Sequence, residues 1–90
     1  MNSTDLETIR KRLKWRATHR GIKEMDIVVG GFAEAKLETL TELQLVEFAA
    51  ILELPDQDLL AWITKQAPIP AEHQSLLLDA VLGFRPEAVR

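Results

Sequence analysis

The sequence predicts an all-α fold, a single compact five-helix bundle that forms one domain over residues 1–90. Apolar residues recur at steps of three and four along most of the chain, as on one face of an α-helix. Glycines and prolines separate these segments, and 90 residues with 47% hydrophobic composition suffice for one small core. We expect an ordered core from about residue 5 to residue 83 and a flexible tail over residues 86–90.

The first helix is predicted to begin at a capping box formed by Thr4 and Glu7. Gly21 can adopt the left-handed conformation that ends a helix, so the helix should cover residues 5–20. One stripe of this helix repeats at steps of three and four and consists of Leu6, Ile9, Leu13, Ala17 and Arg20. Trp15 lies on the opposite side of this helix, where it is either an exposed contact or covered by a later helix.

The second segment, from Ile22 toward Ala35, repeats apolar residues at the helical step. Two features oppose a helix: the Gly30-Gly31 pair costs roughly 1 kcal/mol per glycine relative to alanine, and residues 27–29 suit a strand. A lone short strand would have no partner elsewhere in the chain, so we predict a helix. The two glycines would then allow another helix to approach closely.

The third helix should begin at a capping box formed by Thr41 and Gln44 and end before Pro55. Its apolar stripe consists of Leu45, Phe48, Ala49 and Leu52. Asp56 is expected to cap a fourth helix, which stops before the prolines of residues 68–70. The apolar face of that helix consists of Leu59, Trp62 and Ile63.

A fifth helix is predicted over residues 72–82, with Gly83 as its terminator. We expect its inward face to consist of Leu76, Leu77, Ala80 and Val81.

Charge is divided unevenly along the chain. Residues 10–23 hold seven of the eleven basic residues and no acid, whereas residues 24–90 carry a net charge of −8. The basic segment could meet an acidic protein groove or a nucleic-acid backbone, or it could be a solvated helix face. The total charge of −3 argues against binding nucleic acid over a broad surface.

Few residues could carry chemistry. The chain has no cysteine, no tyrosine and two histidines, which removes thiolate nucleophiles, disulfides and cysteine metal sites. His19 lies within the cationic run and His73 is expected to face solvent. Glu24 and Asp26 alone make a poor cation site, because hard cations need more oxygen ligands. We therefore predict a binding protein with no catalytic residue, no metal and no cofactor of its own.

The junction between the first two helices gathers Arg20, Gly21, Glu24 and Asp26 at a tight turn. A carboxylate in the first turn of a helix and a cation near the end of one both favour the helix dipole. Glu24 and Arg20 thus have local structural reasons to be there, and the two could also pair with each other.

At these residues the chain resembles the succinate dehydrogenase assembly factor 2 family, small proteins that act as flavinylation factors. Residues 12–16 read RLKWR, and residues 20–26 read RGIKEMD and lead to Phe32. A second matching stretch, residues 54–62, reads LPDQDLLAW. The resemblance covers about residues 9–63, and the two motifs occur in the family's order and at its separation.

The resemblance implies a helical chaperone, not an enzyme. Such a protein binds the flavoprotein subunit of succinate dehydrogenase and promotes covalent attachment of FAD to a histidine of that subunit. FAD then belongs to the client, and the resemblance leaves open whether fumarate reductase is also a client. No membrane insertion is implied, and we expect a bacterial cytoplasmic protein that is a monomer when free.

The family's surface implies which residues would meet the client. By this resemblance Gly21 lets the client backbone approach, while Arg20 and Glu24 make charge-assisted hydrogen bonds across the interface. The remaining expected partner-binding residues are Asp26, Trp15, Arg16, His19 and Phe32. Core packing is an equal alternative for Phe32, and His19 stands where many members have arginine, which puts one salt bridge in doubt.

Two other classes of function remain open at this point. One is a small regulatory or antitoxin-like protein whose basic first helix binds nucleic acid, although no helix-turn-helix motif is recognisable. The other is a helical adaptor with an unrelated partner.

Overall fold

The computed structural model describes residues 3–85 and confirms the all-α fold class with five helices. Their bounds are α1 Ser3–Thr18, α2 Lys23–Lys36, α3 Glu42–Leu52, α4 Asp56–Ile63 and α5 Leu76–Gly83. Two single-turn 3₁₀ segments, Leu37–Thr39 and Ala71–His73, join α2 to α3 and precede α5. The tail that we expected to be flexible lies outside the described residues. Within the described part no helix is long and apolar enough to cross a membrane.

Helix α1 ends two residues earlier than predicted, at Thr18. The Thr18 hydroxyl donates to the Lys14 carbonyl oxygen at 2.9 Å, so it competes for the carbonyls of the last turn. Gly21 has φ +93°, the left-handed conformation expected of the terminating glycine. The capping box predicted at the start of the helix depends on the Thr4 side chain, which lies outside the described residues.

Helix α2 runs without interruption through Gly30 and Gly31, as predicted. A Cβ atom on Gly30 would lie 3.0 Å from Thr18 Cγ2 and 3.1 Å from the carbonyl oxygen of Ala17. The absence of a side chain at Gly30 therefore lets α1 and α2 pack with their backbones close together. Packing against α1 thus offsets the low helix propensity of this segment.

The predicted capping box of α3 is present, since the Thr41 hydroxyl accepts from the Gln44 N–H at 3.2 Å and the Gln44 side chain accepts from the Thr41 N–H. The predicted cap of α4 was wrong. Pro55 occupies the N-cap position without a side-chain hydrogen bond, and Asp56 is the first helical residue. The Asp56 carboxylate is engaged by Arg20 instead.

The prediction for the fifth helix was also wrong in part. The chain forms a 3₁₀ turn after Pro70, and α5 begins only at Leu76, where the Ser75 hydroxyl accepts from the Leu78 N–H at 3.0 Å. The inward face also differs from the prediction, by one residue. Leu76 and Ala80 are exposed, and the buried residues of α5 are Leu77, Leu78, Val81 and Leu82.

Side chains from all five helices meet in one core. Its largest fully buried members are Phe48, Met25 and Leu59. Phe32 is 4% exposed and packs against Phe48 and Phe84, with ring centroids 5.7 and 6.1 Å away. The core therefore fixes α2 between α3 and the end of α5.

Helix α4 ends in a Schellman motif that uses a lysine where glycine is usual. The Gln66 N–H donates to the Ala61 carbonyl oxygen at 2.8 Å, the Lys65 N–H donates to the Trp62 carbonyl oxygen at 3.3 Å, and Lys65 has φ +63°. Left-handed backbone costs a residue with a Cβ atom roughly 1–2 kcal/mol. Glycine avoids that strain but loses about 0.5–1 kcal/mol more conformational entropy on folding.

Lys65→Gly should therefore raise the free energy of unfolding by about 0.5–1 kcal/mol, measured by urea denaturation. Lys65→Ala is the matched control and should leave stability nearly unchanged, because alanine carries the same Cβ strain. Equal stabilisation by both substitutions would mean that the lysine side chain, and not its backbone conformation, is unfavourable.

Candidate functional site

Residues 19–22 connect α1 to α2. With the end of α1 and the first turn of α2 they form the α1–α2 corner, residues 15–26, which contains seven of the eight predicted site residues. The Arg20 N–H donates to Asp26 Oδ1 at 2.7 Å, and the Asp26 N–H donates to the Ile22 carbonyl oxygen at 2.9 Å. Asp26 thus closes the corner from the α2 side. At Gly21, which is exposed, an added Cβ atom would meet nothing within 4 Å.

The Arg20 side chain points into the protein, which corrects the expectation that it reaches across an interface. Arg20 Nε donates to Asp56 Oδ1, and the two terminal nitrogens donate to the carbonyl oxygens of Leu52 at 3.0 Å and Leu54 at 2.8 Å. The side chain is only 9% exposed, and that of Asp56 22%. Arg20 therefore pairs with Asp56 and not with Glu24, and it ties the α1–α2 corner to the segment between α3 and α4.

Glu24 is exposed in the first turn of α2. Among the described residues no hydrogen bond or ion pair engages its carboxylate. Its position at the helix N-terminus is favourable for a negative charge. The side chain is thus available to accept hydrogen bonds from a partner beside the exposed backbone of Gly21.

Trp15 and His19 form a stacked aromatic pair on the surface of α1. Their ring centroids are 4.3 Å apart and their planes differ by 10°, while Trp15 remains 62% exposed. His19 Nδ1 lies 2.8 Å from the Trp15 carbonyl oxygen and 3.0 Å from the Thr18 hydroxyl, which places the ring over Trp15. The exposure of Trp15 excludes the alternative that a later helix covers it.

Arg16 lies on the same side of α1 and pairs with Glu53, but both side chains are well exposed, 42% and 72%. Such a pair contributes little to stability and can open to admit a partner at low cost. A shallow cavity of about 250 Å³ lies between these residues and the start of α4. Its lining consists of Trp15, Arg16, His19, Arg20, Leu52 and Asp56.

The structure separates the predicted site residues into two groups. Trp15, Arg16, His19, Gly21 and Glu24 are exposed around the α1–α2 corner. Arg20 and Asp26 stabilise the corner by hydrogen bonds within the protein. Phe32 packs in the core, which was one of the two roles expected for it.

Sequence reasoning missed Asp56, which it treated as a helix cap. One available signal pointed to the arrangement. Arg20 falls on the inward stripe of α1 after Leu13 and Ala17, and an arginine in that position needs a buried acceptor.

The described residues contain no group of three or more histidine, aspartate or glutamate side chains arranged to hold a metal ion. The arrangement at the corner instead offers an exposed aromatic pair, a free carboxylate and an open stretch of backbone. These features are suited to contact with another protein, because an aromatic anchor beside hydrogen-bonding groups is typical of interfaces.

Comparison with known proteins yields a family match over residues 11–85, to the family described as flavinator of succinate dehydrogenase. FAD assembly factor SdhE of Vibrio cholerae is 43% identical over 88% of this chain and 91% of its own length. FAD assembly factor SdhE of Acetobacter pasteurianus is 43% identical over 82% of this chain and 68% of its own length.

Succinate dehydrogenase assembly factor 2, mitochondrial, of Dictyostelium discoideum is 36% identical over 87% of this chain. The match spans just over half of that longer protein, 55%. No solved structure matches the chain significantly.

Proposed function

Because this chain belongs to the family of succinate dehydrogenase flavinators, we propose that it is an assembly factor for the flavoprotein subunit of succinate dehydrogenase. In this proposal it binds that subunit and promotes covalent attachment of FAD to it. The observation that carries the proposal is the family match, which spans residues 11–85 and so includes the whole α1–α2 corner. The two bacterial relatives named FAD assembly factor support the same activity.

The exposed side of the α1–α2 corner is the proposed contact surface. Gly21 has no side chain and open space before it, so a partner backbone can approach closely. Glu24 supplies a carboxylate that no described residue engages, and Trp15 supplies an aromatic surface. Charge-assisted hydrogen bonds from the client to Glu24 would fix the orientation, and Trp15 would contribute apolar contact.

The assembly factor would act by positioning and not as an enzyme. Holding the client subunit in one arrangement places its bound FAD against the histidine to be modified, and orientation alone can supply a large part of a rate increase. FAD remains a ligand of the client in this proposal, and no residue of this chain is assigned to bind it. The same proposal places the protein in the bacterial cytoplasm, as a monomer before it meets the client.

The nucleic-acid alternative receives no support from the family and relatives named above, which refer to succinate dehydrogenase or FAD assembly. The structure also weakens it. Arg10 donates to the carbonyl oxygens of Leu37 and Leu40, and Arg16 and Arg20 pair with carboxylates. Three of the seven cations in the basic segment are thus engaged within the protein.

Binding to the purified apo flavoprotein subunit tests the contact surface. Trp15→Ala and Glu24→Gln should each raise the dissociation constant about tenfold, because each removes an exposed contact residue. Thermal unfolding should change little for either variant. Biolayer interferometry with immobilised flavoprotein subunit measures the affinity.

Glu34→Gln is the matched control, since Glu34 is also an exposed glutamate of α2 but lies two to three turns from the corner. It should bind like the unmodified chain. Tight binding that none of the three substitutions changes would show that the client contacts a different surface. A failure of the unmodified chain to bind would contradict the proposed function itself.

A further inference from the structure

We propose that Asp56 is a positioning residue for the contact surface: its carboxylate, acting through Arg20, holds the α1–α2 corner in the shape that meets the flavoprotein subunit. This inference rests on the proposed function. Asp56 lies 36 positions from Arg20 in the chain, in a separate helix, and belongs to neither the exposed aromatic pair nor the exposed part of the corner.

The hydrogen bonds of Arg20 carry this inference. Its side chain donates to Asp56, Leu52 and Leu54, three acceptors within the short segment where α3 ends and α4 begins. Its own backbone N–H donates to Asp26 on α2. Arg20 is therefore hydrogen-bonded to α2, to the end of α3 and to the start of α4. These bonds also fix the position of Gly21, the next residue in the chain.

Asp56 contributes the only charged acceptor in that set. The two carbonyl oxygens can hold the guanidinium in place, but a carboxylate hydrogen bond to a guanidinium is roughly twice as strong as a neutral one. The pair is also largely shielded from water, with side chains 9% and 22% exposed, so solvent screens it less than the Arg16–Glu53 pair. Removal of the Asp56 charge should thus loosen the corner while the core packing stays intact.

By this inference residues 54–62, which include Asp56, help to hold the contact surface in shape. Residues 54–62 and residues 20–26 belong to the two sequence motifs that resemble the assembly factor family. The Arg20–Asp56 pair joins these two stretches in space. The start of α4 would then serve the contact surface without touching the client.

A double-mutant cycle on client binding tests the positioning role. Asp56→Asn alone should weaken binding of the apo flavoprotein subunit about tenfold, at a temperature where the variant remains folded. If Asp56 acts by placing the corner that carries Glu24, the double variant Asp56→Asn with Glu24→Gln should bind more tightly than the product of the two single losses predicts. Strictly multiplicative losses would overturn the positioning role.

Two further variants complete the binding test. Asp79→Asn makes the same chemical change on an exposed aspartate of α5 and should bind like the unmodified chain. Asp56→Glu keeps the charge and should restore most of the affinity lost in Asp56→Asn. Equal loss in the glutamate and asparagine variants, or no loss in either, would overturn the proposal.

Amide hydrogen exchange tests the corner without the client and so separates this proposal from the proposed function. In Asp56→Asn the Arg20 amide should exchange about tenfold faster, because its hydrogen bond to Asp26 depends on a fixed corner. Amides of α5 should keep their protection, and Asp56→Glu should retain slow exchange at Arg20. Unchanged exchange at Arg20 in Asp56→Asn would overturn the holding role even if the chain binds its client.

Discussion

Replacement of Arg20 by methionine should lower the free energy of unfolding by about 3–4 kcal/mol, because it leaves the Asp56 carboxylate partly buried without its cation. The same change removes hydrogen-bond donors from the carbonyl oxygens of Leu52 and Leu54. Methionine retains most of the apolar volume of arginine, so the loss reports the polar network and not a cavity. Urea denaturation monitored by circular dichroism measures the change.

Arg16→Met is the matched control for this prediction. Arg16 lies one turn before Arg20 and pairs with Glu53, but this pair is exposed to solvent. Its loss should therefore lower the free energy of unfolding by less than about 1 kcal/mol. Similar small losses for both variants would mean that the Arg20 network contributes no more than a surface ion pair. The account of the α1–α2 corner as internally anchored would then be wrong.

Gly30→Ala should lower the free energy of unfolding by about 2 kcal/mol, despite the higher helix propensity of alanine. The added Cβ atom would lie about 3 Å from three atoms of α1, two of them backbone atoms of Ala17 and Thr18. Backbone atoms in a packed helix cannot move aside easily, so α1 and α2 must separate. Thermal and urea unfolding both measure this loss.

Gly31→Ala provides the opposite expectation at the neighbouring residue. Its Cβ atom would meet only the Phe84 ring, at 3.0 Å, and the end of a side chain can move aside more easily than backbone atoms. The gain in helix propensity should then offset the contact and leave stability unchanged or raised by up to about 1 kcal/mol. Equal destabilisation by the two substitutions would contradict the close packing assigned to Gly30 alone.

Local sequence signals predicted most of the fold. Capping-box spacing at Thr41 and Gln44 and the helical repeat of apolar residues gave the helices, since both depend on residues three or four apart. The errors arose where a distant residue decided the structure. Asp56 resembles a helix cap in isolation, but Arg20 reaches it from 36 positions away and engages its carboxylate.

The fifth helix shows a second kind of error. Glu72 and His73 fit a helical pattern, yet Pro70 restricts the backbone before them and Ser75 caps a new helix closer to the C-terminus. In the helix that begins at Leu76, Leu78 faces the core and Leu76 faces solvent. The predicted inward face was displaced by one residue, because the run of three leucines at residues 76–78 does not show which side of the helix packs against the core.

The sequence predicted the region of the candidate site, but not which of its residues are exposed and which face inward. The sequence placed Arg20, Gly21, Glu24 and Asp26 at one turn, because they are neighbours in the chain. It could not show that Arg20 and Asp26 face inward, since their partners are set by how α1, α2 and α4 pack. The structure thus leaves Gly21 and Glu24, with the Trp15–His19 pair, as the exposed part of the corner.

Reconstituted flavinylation tests the central proposal most directly. The purified chain is mixed with apo flavoprotein subunit and FAD, and covalent flavin is scored by in-gel fluorescence, with Gly21→Arg as the variant. The unmodified chain should raise the covalent flavin signal at least about tenfold above the subunit alone, as expected if it positions the FAD against the histidine. Gly21→Arg should abolish that increase, because its side chain would fill the open space before Gly21. The φ of +93° strains any residue with a Cβ atom at this position, so circular dichroism must first show that the variant is folded. An unchanged covalent flavin signal with the unmodified chain present would contradict the proposed function.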